Sequence, residues 1–320
     1  MKKTMQDLDV LSQVAETFRL RGSVGGVFAL QPPWGLAMPK SDHASLIAAT
    51  RGRIYLEPQG GKRQVLELTP GDVVAMPHGD AYALRDHPRT PLSSIDELGC
   101  RAARERGPAG GQTEFIALCC ELAGGRTNPL LKVLPPLIHF SGSDVSVARW
   151  LEPTMRLVAA ETCSSSAGRT TILNRLVEVV FIQLIRVWVE SLPEGKGGWL
   201  RALRDPQLAS ALGAIHSDPG ASWTVASLAA RAGMSRSAFA ERFRSLVGEP
   251  PLEYLTRWRM QRAASLLEAD GAPLKEIVAR SGYASEAAFR TAFTRWAGVP
   301  PGRYRTRAQS AGGAALAAAR

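Results

Sequence analysis

The stretch Val225-Ala226-Ser227-Leu228-Ala229-Ala230-Arg231-Ala232-Gly233-Met234-Ser235 has a second version downstream, Leu274-Lys275-Glu276-Ile277-Val278-Ala279-Arg280-Ser281-Gly282-Tyr283-Ala284-Ser285. Ala230-Arg231-Ala232-Gly233 recurs as Ala279-Arg280-Ser281-Gly282 at an offset of 49. After one inserted residue the offset becomes 50 and holds through Phe239/Phe289, Phe243/Phe293, Gly248/Gly298, Pro250-Pro251/Pro300-Pro301 and Tyr254/Tyr304. Each copy predicts helix, turn, helix. In the first, Val225, Leu228 and Ala229 form an i, i+3, i+4 stripe, with Thr224 as N-cap and Gly233 past the C-terminus. In the second, Pro273 opens the helix, Leu274, Ile277 and Val278 repeat the stripe, and Gly282 ends it. Ser235 and Ser285 are N-caps of the second helices. Their inward faces are Phe239, Phe243, Leu246 and Val247 in one copy, and Phe289, Ala292, Phe293 and Trp296 in the other. Two short helices joined by a tight glycine-containing turn make a helix-turn-helix, whose second helix fits a major groove. Between the copies, Pro251–Ala269 predicts a helix about 28 Å long at ~1.5 Å per residue. Such a rod can hold two recognition helices about one DNA turn (~34 Å) apart.

Residues 206–307 carry 14 Lys/Arg, thirteen of them Arg, against 8 Asp/Glu, a net +6 in about a third of a chain whose total is +10. Planar, permanently charged guanidinium suits phosphate recognition. Pro193-Glu194-Gly195-Lys196-Gly197-Gly198 has a linker's composition, so 193–205 is expected to be a linker and the Ala/Gly-rich 308–320 a flexible tail. Upstream, Ser143–Glu161 and Thr170–Glu190 predict helices within a connector, 141–192. The second is apolar over most of its circumference, so it is buried either under its own domain or against another chain, and a dimer contact is expected there. Residues 1–140 predict mainly short strands, including Ala44–Ala49, Arg53–Leu56, Gln64–Leu68, Val73–Met76 and Thr113–Leu122, punctuated by Pro/Gly turns, as in a sandwich or barrel.

The 320 residues are 45% hydrophobic and 21% charged, enough apolar mass for two domains. No apolar run reaches the ~18 residues of a membrane-spanning helix. Asp7 and Asp9 interrupt any signal-peptide core, and four cysteines without a C-x-x-C pair make no disulfide scaffold, so the expectation is a cytoplasmic protein with no membrane partner.

Residues 206–307 resemble the DNA-binding domain of the AraC/XylS family of bacterial transcriptional regulators. The resemblance rests on Val225-Ala226-Ser227-Leu228-Ala229, Gly233-Met234-Ser235, Phe239 and Phe243, then Arg259-Met260, Ala263 and Leu266-Leu267. It continues in Ile277-Val278-Ala279, Gly282-Tyr283, Ser285, Phe289, Phe293 and Gly298-Val299-Pro300-Pro301-Gly302-Arg303-Tyr304-Arg305. It covers about a third of the chain. The base-reading positions it implies are Arg236, Ser237, Ala240 and Glu241 in the first copy, and Glu286, Ala287, Arg290 and Thr291 in the second. Arg binds guanine O6/N7, Glu accepts from cytosine N4, and Ala or Thr methyls touch thymine; the small residues leave part of specificity to DNA shape. Ser235, Arg244, Ser285, Arg295, Arg303 and Arg305 are the expected phosphate contacts.

Gly71-x5-Pro77-x-Gly79 resembles the second motif of the cupin barrel. With Leu20-Arg21-Gly22, Pro33-Trp34-Gly35, Asn128-Pro129-Leu130-Leu131 and Leu134-Pro135-Pro136, residues 8–190 resemble the cupin-type sensor of one AraC subfamily. Cupin enzymes hold a metal with three His and a Glu. Here the H-x-H site reads His43-Ala44-Ser45, Tyr82 stands at the last His position and no Glu follows at the required distance. One ligand of four implies no metal and no cofactor, and leaves His43, His78 and His87 as loop or pocket histidines. Some regulators with this sensor type respond to oxidants through cysteine, which makes Cys100 (beside Arg101 and Arg104), Cys119 and Cys120 candidate redox residues.

The fold expected is α+β: an N-terminal cupin-like β-barrel with a helical connector, and a C-terminal all-α domain of two helix-turn-helix units joined by a long helix. The function expected is a non-enzymatic, sequence-specific, homodimeric regulator. Its partners would be double-stranded promoter DNA, a small effector or oxidant, and RNA polymerase. The alternatives are a metal-dependent cupin enzyme fused to a DNA-binding tail and a general nucleic-acid architectural protein.

Overall fold

The computed structural model describes residues 20–59, 65–94, 113–122, 128–193, 198–268 and 272–307. The described residues divide into two compact units, one lying within residues 20–122 and 134–191, the other within 128–133 and 192–307.

The first unit is built on two antiparallel sheets. One has the order β1 (Arg21–Leu30), β8 (Thr113–Glu121), β3 (Ala44–Arg51), β6 (Val73–Met76), β9 (Ile138–Phe140). The other has the order β2 (Gly35–Met38), β7 (Tyr82–Arg85), β4 (Ile54–Pro58), β5 (Leu66–Leu68). The expected barrel is thus two separate sheets sharing one core. Leu36, Leu56, Leu68 and Leu84 from the smaller sheet are buried with Ile47, Val74 and Phe115 from the larger. Phe28 stacks on Phe115 at 4.8 Å. Arg85 pairs with Glu57 across β4 and β7, neutralising a carboxylate that is only 6% exposed.

The cupin-like glycines have a steric basis. Gly79 takes φ +63°, and a Cβ there would lie 2.3 Å from the Ser41 carbonyl oxygen and 2.7 Å from that of His43. The 77–80 turn therefore lies backbone against backbone on the loop carrying His43, an approach only glycine permits.

Two helices complete this unit, α2 (Val145–Thr162) and α3 (Arg169–Ser191). Leu173, Val177, Val180, Phe181, Leu184, Ile185 and Trp188 of α3 are buried, and α3 packs on β1 and α2. Gly22 of β1 makes the approach close, because a Cβ there would fall 2.6 Å from the Val177 Cβ. The wide apolar face read from the sequence is thus largely consumed inside this unit. Ile172 and Val179 remain 44% and 48% exposed.

The second unit is helical: α1 (Pro129–Val133), α4 (Gly198–Ala202), α5 (Pro206–Ser217), α6 (Val225–Arg231), α7 (Arg236–Val247), α8 (Pro251–Glu268), α9 (Leu274–Arg280), α10 (Glu286–Ala297) and a last helix, 301–307. Residues 193–205, read as linker, contain α4, whose Trp199, Leu200 and Ala202 are buried and which packs on α7. A Gly/Pro-rich composition hid a five-residue helix anchored by one tryptophan. The tail 308–320, residues 1–19, and Cys100 in 95–112 lie outside the described residues.

Candidate nucleic-acid interface and effector cavity

The repeated landmarks build the same aromatic box twice. Phe239 and Phe243 are fully buried with ring centroids 5.5 Å apart, and Tyr254 meets Phe243 edge-on at 5.6 Å. Phe289 and Phe293 are equally buried at 5.6 Å, and Tyr304 meets Phe293 edge-on at 5.4 Å. These boxes hold one side of α7 and α10 and leave the other outward.

The caps are those expected. Thr224 accepts from the Ser227 amide in a capping box, Ser235 accepts from Ala238 N at 3.3 Å, and Ser285 accepts from Ala288 N at 3.2 Å. Gly248 (φ +92°) and Gly298 (φ +73°) end the two recognition helices in the left-handed conformation. Pro273 stands at the N-cap of α9 without a side-chain cap bond.

Arg236, Ser237 and Glu241 are exposed on α7 and Ala240 is half-buried, spaced so that all four share one side of the helix. Glu286, Ala287, Arg290 and Thr291 are all exposed on the equivalent side of α10. Arg290 donates through Nε (3.0 Å) and Nη2 (2.5 Å) to the Glu286 carboxylate one turn earlier. Among the described residues no ion pair engages Arg236 or Glu241. Arg244, Arg295 and Arg303 are exposed. Arg305 differs: it is half-buried, and its Nη2 donates to the Ala272 carbonyl at 2.7 Å, so this guanidinium ties the last helix to the start of α9.

Sequence reading missed the contacts that hold the copies together. Arg259 on α8 donates to the Pro219 and Ala221 carbonyls at 2.6 and 2.8 Å and lies 6.0 Å from the Tyr283 ring. Gly282, at φ +70°, sits so close to the 218–221 loop that a Cβ would fall 2.5 Å from the Gly220 carbonyl oxygen. His216, also missed, lies 3.9 Å above Trp258 and bonds Tyr254 Oη through Nε2 at 2.6 Å. Burial, then the Arg257 charge, drives its pKa down to about 3. Asp205 caps α5 and pairs with Arg242 of α7. Burial raises its pKa, but the Arg242 guanidinium and the Leu208 and Gln207 amides outweigh it and hold the carboxyl low.

In the sheet-rich unit a cavity of about 430 Å³ lies between the sheets. His43 contributes to its lining, with Ser45, Tyr82 and Cys119. His78 instead bonds the Leu134 carbonyl, and His87 packs edge-on to Tyr55. Among the described residues no three His, Cys, Asp or Glu side chains come together as metal ligands, and no helix is long and apolar enough to cross a membrane. The two candidate thiols of the described residues lie on β8, Cys119 half-buried and Cys120 buried. Burial and then Glu121 push the half-buried Cys119 thiol up, and burial, then Cys119 and Glu178, push Cys120 well up.

The cupin family model matches residues 9–190 and a helix-turn-helix domain model matches 228–307. A sheet-rich cupin unit joined in one chain to a paired helix-turn-helix defines a DNA-binding transcriptional regulator. The chain belongs to the AraC-like transcription regulators: it is 33% identical to an AraC-like transcription regulator of Streptomyces lividans, over 93% of this chain and 98% of that one. It is 32% identical to the HTH-type transcriptional regulator AlkR of Acinetobacter baylyi, over 93% and 99%. The RCS-specific HTH-type transcriptional activator RclR of Escherichia coli is 28% identical over 94% and 98%. Among solved structures, the DNA-binding domain of the global transcriptional factor AdpA, in complex with a target DNA, is 38% identical. That match covers 30% of this chain and 86% of the other, with a TM-score of 0.29.

Proposed function

We propose that this regulator reads promoter DNA through α7 and α10 and that a small molecule in the sheet-rich unit's cavity alters that reading. The observation that carries it is the pair of outward faces 50 residues apart, Arg236-Ser237-Ala240-Glu241 and Glu286-Ala287-Arg290-Thr291, each on a helix that starts at a serine cap and ends at a left-handed glycine. The Ser235 and Ser285 hydroxyls and the Arg244, Arg295 and Arg303 guanidinium groups set the register on phosphates, with Arg305 contributing through the turn it fixes. The chain acts in the cytoplasm as a homodimer through the outer strip of α3, where Ile172 and Val179 stay exposed, and works with RNA polymerase rather than catalysing a reaction. Residues 1–140 act as sensor, 141–192 as connector, 193–205 as the link and 206–307 as reader. Its mechanism is linkage: an effector that binds one arrangement of the sensor better shifts the dimer toward the DNA affinity of that arrangement.

Selection of bound sequences from random duplex DNA tests the reading. Wild type should enrich a motif spanning two adjacent major-groove segments, and Arg236→Ala and Arg290→Ala should each blur a different segment. Equal blurring of both segments, or no enrichment at physiological salt, overturns it.

A further inference from the structure

Two apolar sheets can close on one another completely, and around Gly25 these do not. Gly25 lies where the β1–β8 register shifts, between Val24 and Gly26, and a Cβ there would sit 3.4 Å from Cys119 Sγ. The missing side chain helps leave a cavity of about 430 Å³, within the ~300–1,000 Å³ span of small-ligand sites. Its walls include Phe28, Leu36, Ile47, Leu84, Phe115 and Ala117. Among the described residues no Asp, Glu, Lys or Arg lines it. Its polar atoms are few, and two of them are deep: the Tyr82 and Ser45 hydroxyls, on residues 4% and 7% exposed, are hydrogen-bonded to each other.

A charged ligand here would lose its hydration and find no carboxylate, ammonium or guanidinium among the described lining residues, only the His43 imidazole, a penalty that apolar contact must then overcome. An uncharged ligand escapes that penalty. The phenol itself stays protonated, because burial pushes its pKa up to about 12 against the smaller downward pull of Ser45. Tyr82 is therefore a neutral donor with Ser45 as a donor and acceptor beside it, a pair suited to one oxygen rather than to a sugar's ring of hydroxyls.

We propose that this cavity binds an uncharged, mainly apolar molecule bearing a single hydroxyl or carbonyl, whose oxygen meets the Tyr82–Ser45 hydroxyl pair. This deepens, and rests on, the effector-sensing role proposed above for the same cavity.

The test uses the full-length chain without DNA and two probes with one chain length, 1-octanol and octanoate at pH 8, followed by titration calorimetry. Octanol should bind at least about tenfold more tightly than octanoate. Tyr82→Phe should weaken octanol about five- to tenfold, the scale of one lost hydrogen bond, while leaving weak octanoate binding unchanged. Ala117→Leu, which fills the cavity, should abolish binding with the far-ultraviolet circular dichroism retained. If that variant misfolds, Ser45→Ala replaces it, with a loss similar to that of Tyr82→Phe. Octanoate binding as tightly as octanol, no octanol binding up to saturation, or octanol binding indifferent to both folded variants overturns the proposal. Mobility shifts on the selected DNA separate this from the sensing role. Octanol that binds without altering DNA affinity refutes the sensing and leaves the cavity's chemistry standing. DNA affinity that responds only to a charged compound does the reverse.

Discussion

The two helix-turn-helix copies share a skeleton and differ in how they spend their charges. At the 50-residue offset, Arg236 corresponds to Glu286 and Ala240 to Arg290, so the cation and its position on the groove face change between copies. In the second copy Arg290 is held by Glu286. In the first, Arg236 has no such partner among the described residues, while Arg242, off the groove face, is anchored to Asp205. The tyrosines diverge in the same way: Tyr254 bonds His216, whereas Tyr304 bonds Glu268 at 2.7 Å. The aromatic box is therefore the invariant of the duplication. What surrounds it has been adapted copy by copy.

Four experiments test that contrast. The largest effect concerns what the copies share. Phe243→Ala and Phe293→Ala each empty a fully buried site and should each cost about 3–5 kcal/mol in denaturant unfolding; a difference of more than about 2 kcal/mol between them would show that the boxes are not equivalent. The next concerns His216 on α5, which bonds the first copy's Tyr254 where the second copy's Tyr304 bonds Glu268. With its folded pKa near 3 and an ordinary value of 6.5, His216 takes up a proton on unfolding below pH 6.5. Its stability contribution is whole above that pH and is lost as pH falls toward 3. The slope approaches about 1.4 kcal/mol per pH unit and the loss reaches roughly 2 kcal/mol by pH 5. Hydrogen exchange should show amides of α5 and α7 losing protection in acid before those of α9 and α10, and His216→Phe should remove the difference.

The third compares the readers on DNA. Arg236→Ala and Arg290→Ala should each weaken binding by about 1–3 kcal/mol and relax one base position. Glu286→Gln should tighten binding and steepen the salt dependence, since it frees a guanidinium and removes a negative charge from the groove face. Unchanged binding by Glu286→Gln would mean that the ion pair does not compete with DNA. The smallest effect lies at the helix starts: Thr224→Ala should cost about 1 kcal/mol by loss of the capping box, whereas Pro273→Ala, with no cap bond to lose, should cost less.

How much could be read from the chain follows from which interactions are local. Caps, left-handed glycines and helical stripes are set by residues within four or five positions, so α6, α7, α9 and α10 were legible to within a residue or two. The strand Val73–Met76 was legible to its ends. β1, β2, β7 and β9 were not marked: Arg21–Leu30 holds three glycines and the other three are only three or four residues long, and pairing with β8, with each other and β4, and with β6 makes them strands. The same limit hid His216, Arg259 and the Gly220–Gly282 contact, whose partners lie 38 to 62 residues away in sequence. Among the candidate site residues, exposure followed from helical phase. The engagement of Arg290 by Glu286 was an i, i+4 pair open to reading, and the capture of Arg305 by Ala272 was not.

The contact of Gly282 with Gly220 has a consequence for the operator. Besides the α8 rod, backbone of one reader rests on backbone of the other, with Arg259 fastening the seam. Such a joint has little freedom to rotate, so any disagreement in groove phase between the two half-motifs must be absorbed by twisting or curving the duplex. Operators with an easily deformed step in the spacer should therefore be favoured even though no side chain reads that step.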